Sequence, residues 1–221
     1  RQLLIKIQKG QFLLPFFFCL LKKLIRKYFI AMEISKVNTA VKMGDFMKRN
    51  DHKKYKIDFE FLENISPEIK KDRIGRVYYI VVNNIIKKIG GSASKKGIQS
   101  TIKFYTEFGR ASSNRFALHY LIRKELDNNN KVEVWMTTSP KAPGKISGLY
   151  SIDNGLVAAY MEMEEKCKNE YKESENKFPD WNFKENNEKT PKEEMQKYAK
   201  HIKEYSDSYD EDDDEENEDE G

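Results

Sequence analysis

Apolar and polar residues alternate along three stretches of the chain, and each stretch predicts a β-strand or a β-hairpin. Residues 55–61 (YKIDFEF) and 131–137 (KVEVWMT) place apolar side chains at every second position, which is typical of a strand with one buried face. Residues 76–92 (RVYYIVVNNIIKKIGGS) contain two apolar runs around an Asn-Asn pair. Because asparagine tolerates a positive φ better than most residues, this stretch predicts a hairpin over roughly 77–89.

Helical spacing of apolar residues and capping signals predict the helices. Ser66-Pro67-Glu68 provides the N-cap and the first residues of a short helix. Thr190-Pro191-Lys192-Glu193 forms a capping box for a terminal helix. Residues 138–155, with several prolines and glycines, predict a long loop. Spacing alone predicts four further helices, over residues 34–49, 98–107, 114–126 and 156–171.

The order of these elements predicts an α+β fold. We expect a small antiparallel or mixed sheet of three strands flanked by helices, with helical N- and C-terminal extensions. Composition and pattern divide the chain into five parts. These are an apolar and basic segment (1–31), an extension with one helix and one strand (32–73), a central domain (74–185), a C-terminal helix (186–205) and an acidic tail (206–221).

Charge is distributed unevenly between the tail and the rest of the chain. Residues 206–221 contain 11 acidic residues and no Lys or Arg, so residues 1–205 hold 40 basic and 25 acidic residues, a net charge of +15. A basic body favours nucleic acid or another polyanion as partner, although a lysine-rich solvated surface has the same composition. The tail has nothing to bury, and we expect it to be disordered, as a solubility aid or as a mimic of DNA over a basic cleft.

The N-terminal segment and the cysteines bear on the compartment. Residues 1–31 carry seven basic and no acidic residues, and their apolar run is about half of the roughly 20 residues that cross a bilayer. We expect no membrane association and a native start at Met32; an interfacial amphipathic anchor is the alternative. Cys19 and Cys167 form no CxxC or Cys/His cluster, so structural zinc is not expected, and we expect an intracellular protein, cytoplasmic or nuclear.

Familiar nucleotide-binding and hydrolase motifs are absent from the sequence, including a P-loop, G-x-G-x-x-G, His-Glu-x-x-His and a nucleophile elbow. The hairpin stretch instead contains Val77-Tyr78 and, about ten residues later, Ile89-Gly90. This arrangement resembles the signature hairpin of the GIY-YIG nuclease superfamily. Arg76 replaces the first glycine of that pattern, and Lys88 replaces the tyrosine of its second motif.

Further residues follow the hairpin in the order that this superfamily uses. Arg115 and His119 have i, i+4 spacing on a predicted helix, although a surface arginine beside a half-buried histidine has the same spacing. Glu164 borders the apolar face of the next helix, where it needs a metal ion or a salt bridge as partner. Pro179-Asp180-Trp181-Asn182 then ends in the expected asparagine. The resemblance covers about residues 75–185 and is nearest to the type II restriction endonuclease branch.

The resemblance implies a Mg²⁺- or Mn²⁺-dependent endonuclease that acts on double-stranded DNA and is site-specific and restriction-like. The capped C-terminal helix is a candidate surface for a homodimer, which a palindromic site would favour. Tyr78 is expected to orient or deprotonate the attacking water, as a tyrosinate favoured by Lys88. Tyr79 is the alternative motif tyrosine, because a two-residue turn would place it opposite Lys88 and a three-residue turn would place Tyr78 there. Lys88 is expected to lower the pKa of this base or to contact the phosphate.

The other site residues receive their roles in the same way. Arg115 is expected to bind the scissile phosphate, Glu164 to hold the metal ion, and Asn182 to brace the site. His119 is expected to be an alternative base or a phosphate donor. Two other hypotheses remain at this point: a nucleic-acid-binding protein of the same fold with impaired catalysis, and an interaction protein in which the motif spacing is accidental.

Overall fold

The computed structural model describes residues 31–49, 57–71, 74–94, 96–106, 114–139, 141–200 and 202–203. The chain divides into two compact units, Arg1–Ala31 and Met32–Gly221, and almost all described residues belong to the second. The predictions for the N-terminal segment and for the acidic tail therefore fall outside the described part of the chain. Within that part, no helix combines the length and the apolar character that crossing a membrane requires.

A five-stranded antiparallel sheet lies at the centre of the second unit. Its strands lie side by side in the order β2-β1-β5-β3-β4, so that β5 is the middle strand and β4 lies at one edge. Strand β3 lies between β5 and β4 and is buried along its length. Every neighbouring pair is antiparallel. The strands are β1 (Val41–Lys48), β2 (Ile57–Phe61), β3 (Gly75–Val82), β4 (Ile85–Ser92) and β5 (Val132–Ser139).

Helices pack on both faces of the sheet, and a second hairpin interrupts the predicted loop. The α+β prediction is confirmed, but the sheet has five strands instead of three. The prediction of a loop over 138–155 is wrong, because most of that stretch forms a two-stranded antiparallel hairpin. The remaining elements are α1 (Pro67–Lys71), α2 (Gly97–Thr106), α3 (Asn114–Asp127), β6 (Ala142–Ser147), β7 (Ile152–Val157), α4 (Tyr160–Glu175) and α5 (192–200).

The helix predicted over 34–49 is wrong. A 3-10 turn at Ile34–Lys36 is followed by strand β1. The pairing of β1 with β5 shifts between Lys42 and Gly44, so Met43 and Phe46 both reach the core. This irregularity puts buried residues three positions apart, which mimics the spacing of a helix.

The first hairpin forms as predicted and turns at Asn83 and Asn84. Both residues have positive φ, 47° and 71°, which is the conformation that a two-residue hairpin turn with the twist of its strands requires. The turn is tied to the next strand, because Asn83 Oδ1 accepts a hydrogen bond from the backbone N–H of Lys131 at 2.9 Å. The position of the turn therefore sets the first pair of the hairpin, which is Val82 with Ile85.

A β-bulge at Lys87 changes the pairing inside this hairpin. Val81 pairs with Ile86, but Ile80 pairs with Lys88, which leaves Lys87 as an extra residue in β4. Both predicted registers are therefore wrong, since neither Tyr78 nor Tyr79 lies opposite Lys88. Cross-strand neighbours share a face, so the bulge brings Lys88 to the face of β3 that carries Ile80.

Residues of β3 alternate between two hydrophobic cores. Tyr78, Ile80 and Val82 belong to a first core on the side of α2 and α3. Val77, Tyr79 and Val81 belong to a second core on the side of α4, where Tyr171 lies. Two consecutive tyrosines of one strand consequently serve opposite faces of the sheet.

Candidate active site

Tyr78 points into the first core and meets a second tyrosine there. Its hydroxyl lies 2.5 Å from the hydroxyl of Tyr105, which is contributed by α2. Both side chains are buried, at 7% exposure each. Tyr105 was not among the residues predicted from the sequence, because one tyrosine among the apolar residues of an amphipathic helix has the pattern of an ordinary core residue.

Tyr79 lies on the other face and has different partners. Its hydroxyl is 3.3 Å from Thr137 Oγ1 and 3.5 Å from Cys167 Sγ. The ring packs in the second core. Of the two tyrosines, only Tyr78 shares a face with Lys88.

Two adjacent glycines of β4 make room for two of the predicted site residues. A Cβ atom at Gly90 would overlap the hydroxyl of Tyr78, and a Cβ atom at Gly91 would overlap Oε2 of Glu164. Glu164 comes from α4 and reaches the edge strand at this point. Glycine is needed here because the side chains of Tyr78 and Glu164 occupy the space beside the backbone.

Glu164 is engaged by a lysine of its own helix. Oε1 of Glu164 is 2.5 Å from Nζ of Lys168, one turn further along α4. The same Nζ lies 2.6 Å from Oε1 of Glu185. The two carboxylates thus share one ammonium group, and neither Lys168 nor Glu185 belongs to the motif residues that predicted the site. The E-x-x-x-K spacing of Glu164 and Lys168 was the available signal.

The pKa values of Tyr78 and Lys88 shift in opposite directions. Burial raises the pKa of Tyr78 well above its ordinary value, and the nearby Tyr105 and Glu164 add to the increase. Burial lowers the pKa of Lys88, and Lys168 contributes to the decrease, while Glu185 and Glu164 oppose it. Burial therefore favours the protonated phenol of Tyr78, which opposes formation of the tyrosinate predicted from the sequence, and it increases the neutral fraction of Lys88.

Arg115 lies at the rim of this region. Its side chain is exposed, and the guanidinium carbon is 3.8 Å from the centre of the Phe104 ring. Burial raises the pKa of Tyr105, and the charge of Arg115 opposes that increase. The arginine is thus close enough to act electrostatically on the tyrosine pair and is accessible to an anionic ligand.

His119 is fully buried and does not share the exposure of Arg115. Its Nδ1 is 2.8 Å from the backbone carbonyl oxygen of Tyr105, and its Nε2 accepts a hydrogen bond from the hydroxyl of Tyr198 at 3.2 Å. Because a carbonyl oxygen only accepts, Nδ1 carries the proton. Both ring nitrogens are therefore engaged with protein groups that hold α2 and the C-terminal helix together.

Asn182 binds the edge strand with its side-chain amide. Its Oδ1 accepts a hydrogen bond from the N–H of Ile89 at 3.0 Å, and its Nδ2 donates to the carbonyl oxygen of Ile89 at 3.1 Å. Nδ2 also lies 3.2 Å from Oε1 of Glu185. The amide is completely buried. It satisfies the backbone N–H and carbonyl group of Ile89, next to the two glycines, as a neighbouring strand would do.

One carboxylate at the edge of β4, that of Glu164, has the chemistry to bind a divalent metal ion together with water and substrate. Among the described residues, no three His, Cys, Asp or Glu side chains are grouped closely enough to enclose a metal ion. Mg²⁺, however, commonly binds through one or two carboxylates together with water and substrate phosphates. The side chain of Glu164 is 22% exposed and is thus available for this role once Lys168 gives way.

Comparisons with solved structures give distant similarities, two of which are as follows. No family model and no curated protein sequence matches the chain. Restriction endonuclease HPY188I in complex with product DNA is similar at 14% identity and a TM-score of 0.41, over 68% of this chain and 85% of that chain. A mutant of bacteriophage T4 EndoII is similar at 16% identity and a TM-score of 0.46, over 67% of this chain and 96% of that chain. At these values the similarities assign neither a family nor a function to this chain.

Proposed function

We propose that this chain is a divalent-metal-dependent endonuclease that hydrolyses phosphodiester bonds in double-stranded DNA, with the site specificity of a restriction enzyme. The observation that carries the proposal is the convergence of Tyr78, Lys88 and Glu164 at the edge of β4. Arg115 lies within electrostatic reach of the same place through Tyr105. Hydrolysis of a phosphodiester needs a positioned water, a base and positive charge for the phosphate, and this group of residues supplies a hydroxyl that can orient water, a candidate base and positive charge.

Lys88 is the proposed general base. Its lowered pKa increases the fraction of neutral amine at neutral pH, and a neutral amine takes a proton from water. The water oxygen then attacks phosphorus, the bond from phosphorus to the leaving oxygen breaks, and that oxygen takes up a proton from solvent. The protonated phenol of Tyr78 donates a hydrogen bond that orients the water or a phosphate oxygen.

Charge stabilisation is assigned to Arg115 and Glu164. The exposed guanidinium of Arg115 binds the scissile phosphate and stabilises its developing negative charge. Glu164 holds a Mg²⁺ or Mn²⁺ ion, which supplies Lewis-acid stabilisation of the phosphoryl oxygens when it is bound. His119 and Asn182 are proposed as positioning residues, since both are fully buried and hydrogen-bonded to backbone atoms of residues at the site.

The DNA backbone is proposed to follow exposed lysines of the loop before α2 and of the β6–β7 hairpin. Lys96 precedes α2, and Lys141 and Lys145 belong to the β6–β7 hairpin; all three side chains are exposed. They contribute electrostatic, sequence-independent binding and no base recognition. A homodimer would suit a palindromic recognition site and belongs to the same proposal.

Plasmid cleavage tests the proposal. Supercoiled DNA is incubated with the protein and Mg²⁺, beside the variants Glu164→Ala and Glu162→Ala. Glu162 is the matched control, because it is an exposed glutamate of the same helix. We expect cleavage by the wild type and by Glu162→Ala, and a loss of at least about 100-fold in Glu164→Ala. Cleavage that survives in Glu164→Ala would contradict the assignment.

A second candidate function is a DNA-binding protein of the same fold without catalysis. The ion pair between Lys168 and Glu164 favours it, because that pair occupies a carboxylate oxygen that a metal ion would need. The same assay, combined with a mobility-shift measurement, separates the two functions. Shifted but uncut DNA over a range of sequences would support binding alone.

A further inference from the structure

Lys168 occupies an unusual position between two carboxylates. Its Nζ is 2.5 Å from Oε1 of Glu164 and 2.6 Å from Oε1 of Glu185. The three side chains are partly buried, with exposed fractions of 17%, 22% and 25% for Lys168, Glu164 and Glu185. Water therefore screens these ion pairs less than it screens an exposed pair.

The two carboxylates around Lys168 come from different elements, one from α4 and the other from the loop that follows it. Glu164 and Lys168 are one turn apart on α4, which brings their side chains together. Glu185 receives a hydrogen bond from Asn182, whose amide is in turn bound to the backbone of Ile89. The ammonium group is thus held between a helix and an anchored loop, at the carboxylate proposed to bind the metal ion.

We infer that Lys168 is an internal counter-cation that competes with the divalent metal ion for Glu164 and thereby sets the metal affinity of the free protein. This inference rests on the proposed function. A metal ion and the ammonium group of Lys168 repel each other and compete for the charge of the Glu164 carboxylate, so metal binding favours withdrawal of Lys168 towards Glu185. The positive charge that remains nearby disfavours a second cation.

The local charge balance gives this competition a consequence for DNA binding. Lys168, Glu164 and Glu185 carry a net charge of −1 when Lys88 is neutral, and the cluster is neutral when Lys88 is protonated. A divalent cation leaves it with an excess of one or two positive charges. A phosphate group of DNA offsets that excess, and the metal ion is therefore held more tightly when DNA is bound.

Binding of Mn²⁺, followed by the electron paramagnetic resonance signal of the free ion, tests the inference without DNA and without activity. The wild type is compared with Lys168→Met and with Lys166→Met. Lys166 is the matched control, because it removes the same charge from the same helix, while its side chain is 74% exposed and pairs only loosely with Glu170 at 3.8 Å. We expect Lys168→Met to lower the Kd for Mn²⁺ about tenfold and Lys166→Met to leave it unchanged.

Two further variants test whether the charge of Lys168, acting on Glu164, causes the change in Mn²⁺ affinity. Lys168→Arg keeps the charge and is expected to bind Mn²⁺ no more tightly than the wild type. Glu164→Ala combined with Lys168→Met is expected to lose the tightened binding. If Lys168→Met does not fold, which circular dichroism reports, Lys168→Gln replaces it.

The outcomes separate this inference from the proposed function. Wild-type binding that depends on Glu164 but is not tightened in Lys168→Met overturns the role of Lys168 and leaves the metal site in place. If Glu164→Ala binds Mn²⁺ as tightly as the wild type does, Glu164 is not the metal ligand, and the inference about Lys168 fails with that assignment. No binding to the wild type but measurable binding to Lys168→Met supports the inference.

Discussion

The hydroxyl oxygens of Tyr78 and Tyr105 lie 2.5 Å apart in the interior of the protein. The proposed role of Tyr78 requires that Tyr105 donates and Tyr78 accepts in this hydrogen bond, because the proton of Tyr78 is then left for the water or the phosphate. We predict that Tyr78→Phe lowers the single-turnover cleavage rate about 100-fold and Tyr105→Phe about tenfold, because only Tyr78 is proposed to touch the substrate. Tyr150→Phe is the control, since that side chain is 99% exposed. A larger loss in Tyr105→Phe than in Tyr78→Phe would reverse the assignment.

The pH dependence of cleavage reports on Lys88. Only the neutral amine accepts a proton, so the rate is expected to rise with pH and to level off as pH passes the pKa of Lys88. That pKa is lowered by burial, so the plateau is expected at a lower pH than for an ordinary lysine. Lys88→Arg stays protonated and is expected to give a slow rate without this rise. The profile is measured under single-turnover conditions between about pH 6 and 9. An unchanged profile in Lys88→Arg would exclude Lys88 as the base.

Substitutions of the two glycines of β4, Gly90 and Gly91, are predicted to have different effects on DNA cleavage and on the free energy of unfolding. Gly91→Ala displaces Glu164, which is the end of a flexible side chain, so we expect a loss of cleavage of about 100-fold with little change in the free energy of unfolding. Gly90→Ala presses on the buried ring of Tyr78 and is expected to reduce that free energy by about 1–3 kcal/mol. Urea unfolding and plasmid cleavage are measured on both variants.

Gly148→Ala is the control for the glycine pair. A Cβ atom at Gly148 would have its nearest contact, with the carbonyl oxygen of Ser151, at 3.5 Å, which is an ordinary separation. We expect neither property to change. Equal loss of stability in Gly90→Ala and Gly91→Ala would show that Glu164 is as rigidly held as the tyrosine.

Asn182 is predicted to contribute to stability through the backbone of Ile89. Asn182→Ala leaves a buried N–H and a buried carbonyl group without their partner, and we expect the free energy of unfolding to fall by about 2–4 kcal/mol. Asn154→Ala, an exposed asparagine of β7, is expected to change it by less than about 0.5 kcal/mol. Urea denaturation measures both. A small effect in Asn182→Ala would mean that water replaces the amide at the edge of the sheet.

Local signals in the sequence were sufficient for much of the fold. Asn83 and Asn84 predicted the hairpin turn, because the requirement for positive φ is local. Strand β1 was missed, since the irregularity at Lys42 to Gly44 depends on pairing with β5, which is distant in the sequence. The β6–β7 hairpin was missed because its residues are mostly exposed and its prolines and glycines resemble those of a loop.

The candidate site was predictable only where a motif supplied the order of residues. Tyr78, Glu164 and Asn182 converge, but their partnership with Tyr105 and Glu185 depends on how α2 and the loop after α4 pack, which spacing does not encode. His119 illustrates the same limit. Its i, i+4 relation to Arg115 suggested a shared surface, whereas the packing of the C-terminal helix encloses it.

The bulge at Lys87 determines which face of the sheet each following side chain of β4 occupies. Side chains alternate along a strand, so the extra residue is what allows Ile86 and Ile89 to share one core while Lys88 faces the other side. Lys87 itself is anchored outside the sheet, with Nζ 2.8 Å from Asp180 and its carbonyl oxygen bound by the N–H of Trp181. Deleting this one residue would exchange the two faces for every residue of β4 on one side of the deletion. A change of one residue in the length of this strand therefore exchanges the faces of its side chains, whereas a change of two residues keeps them.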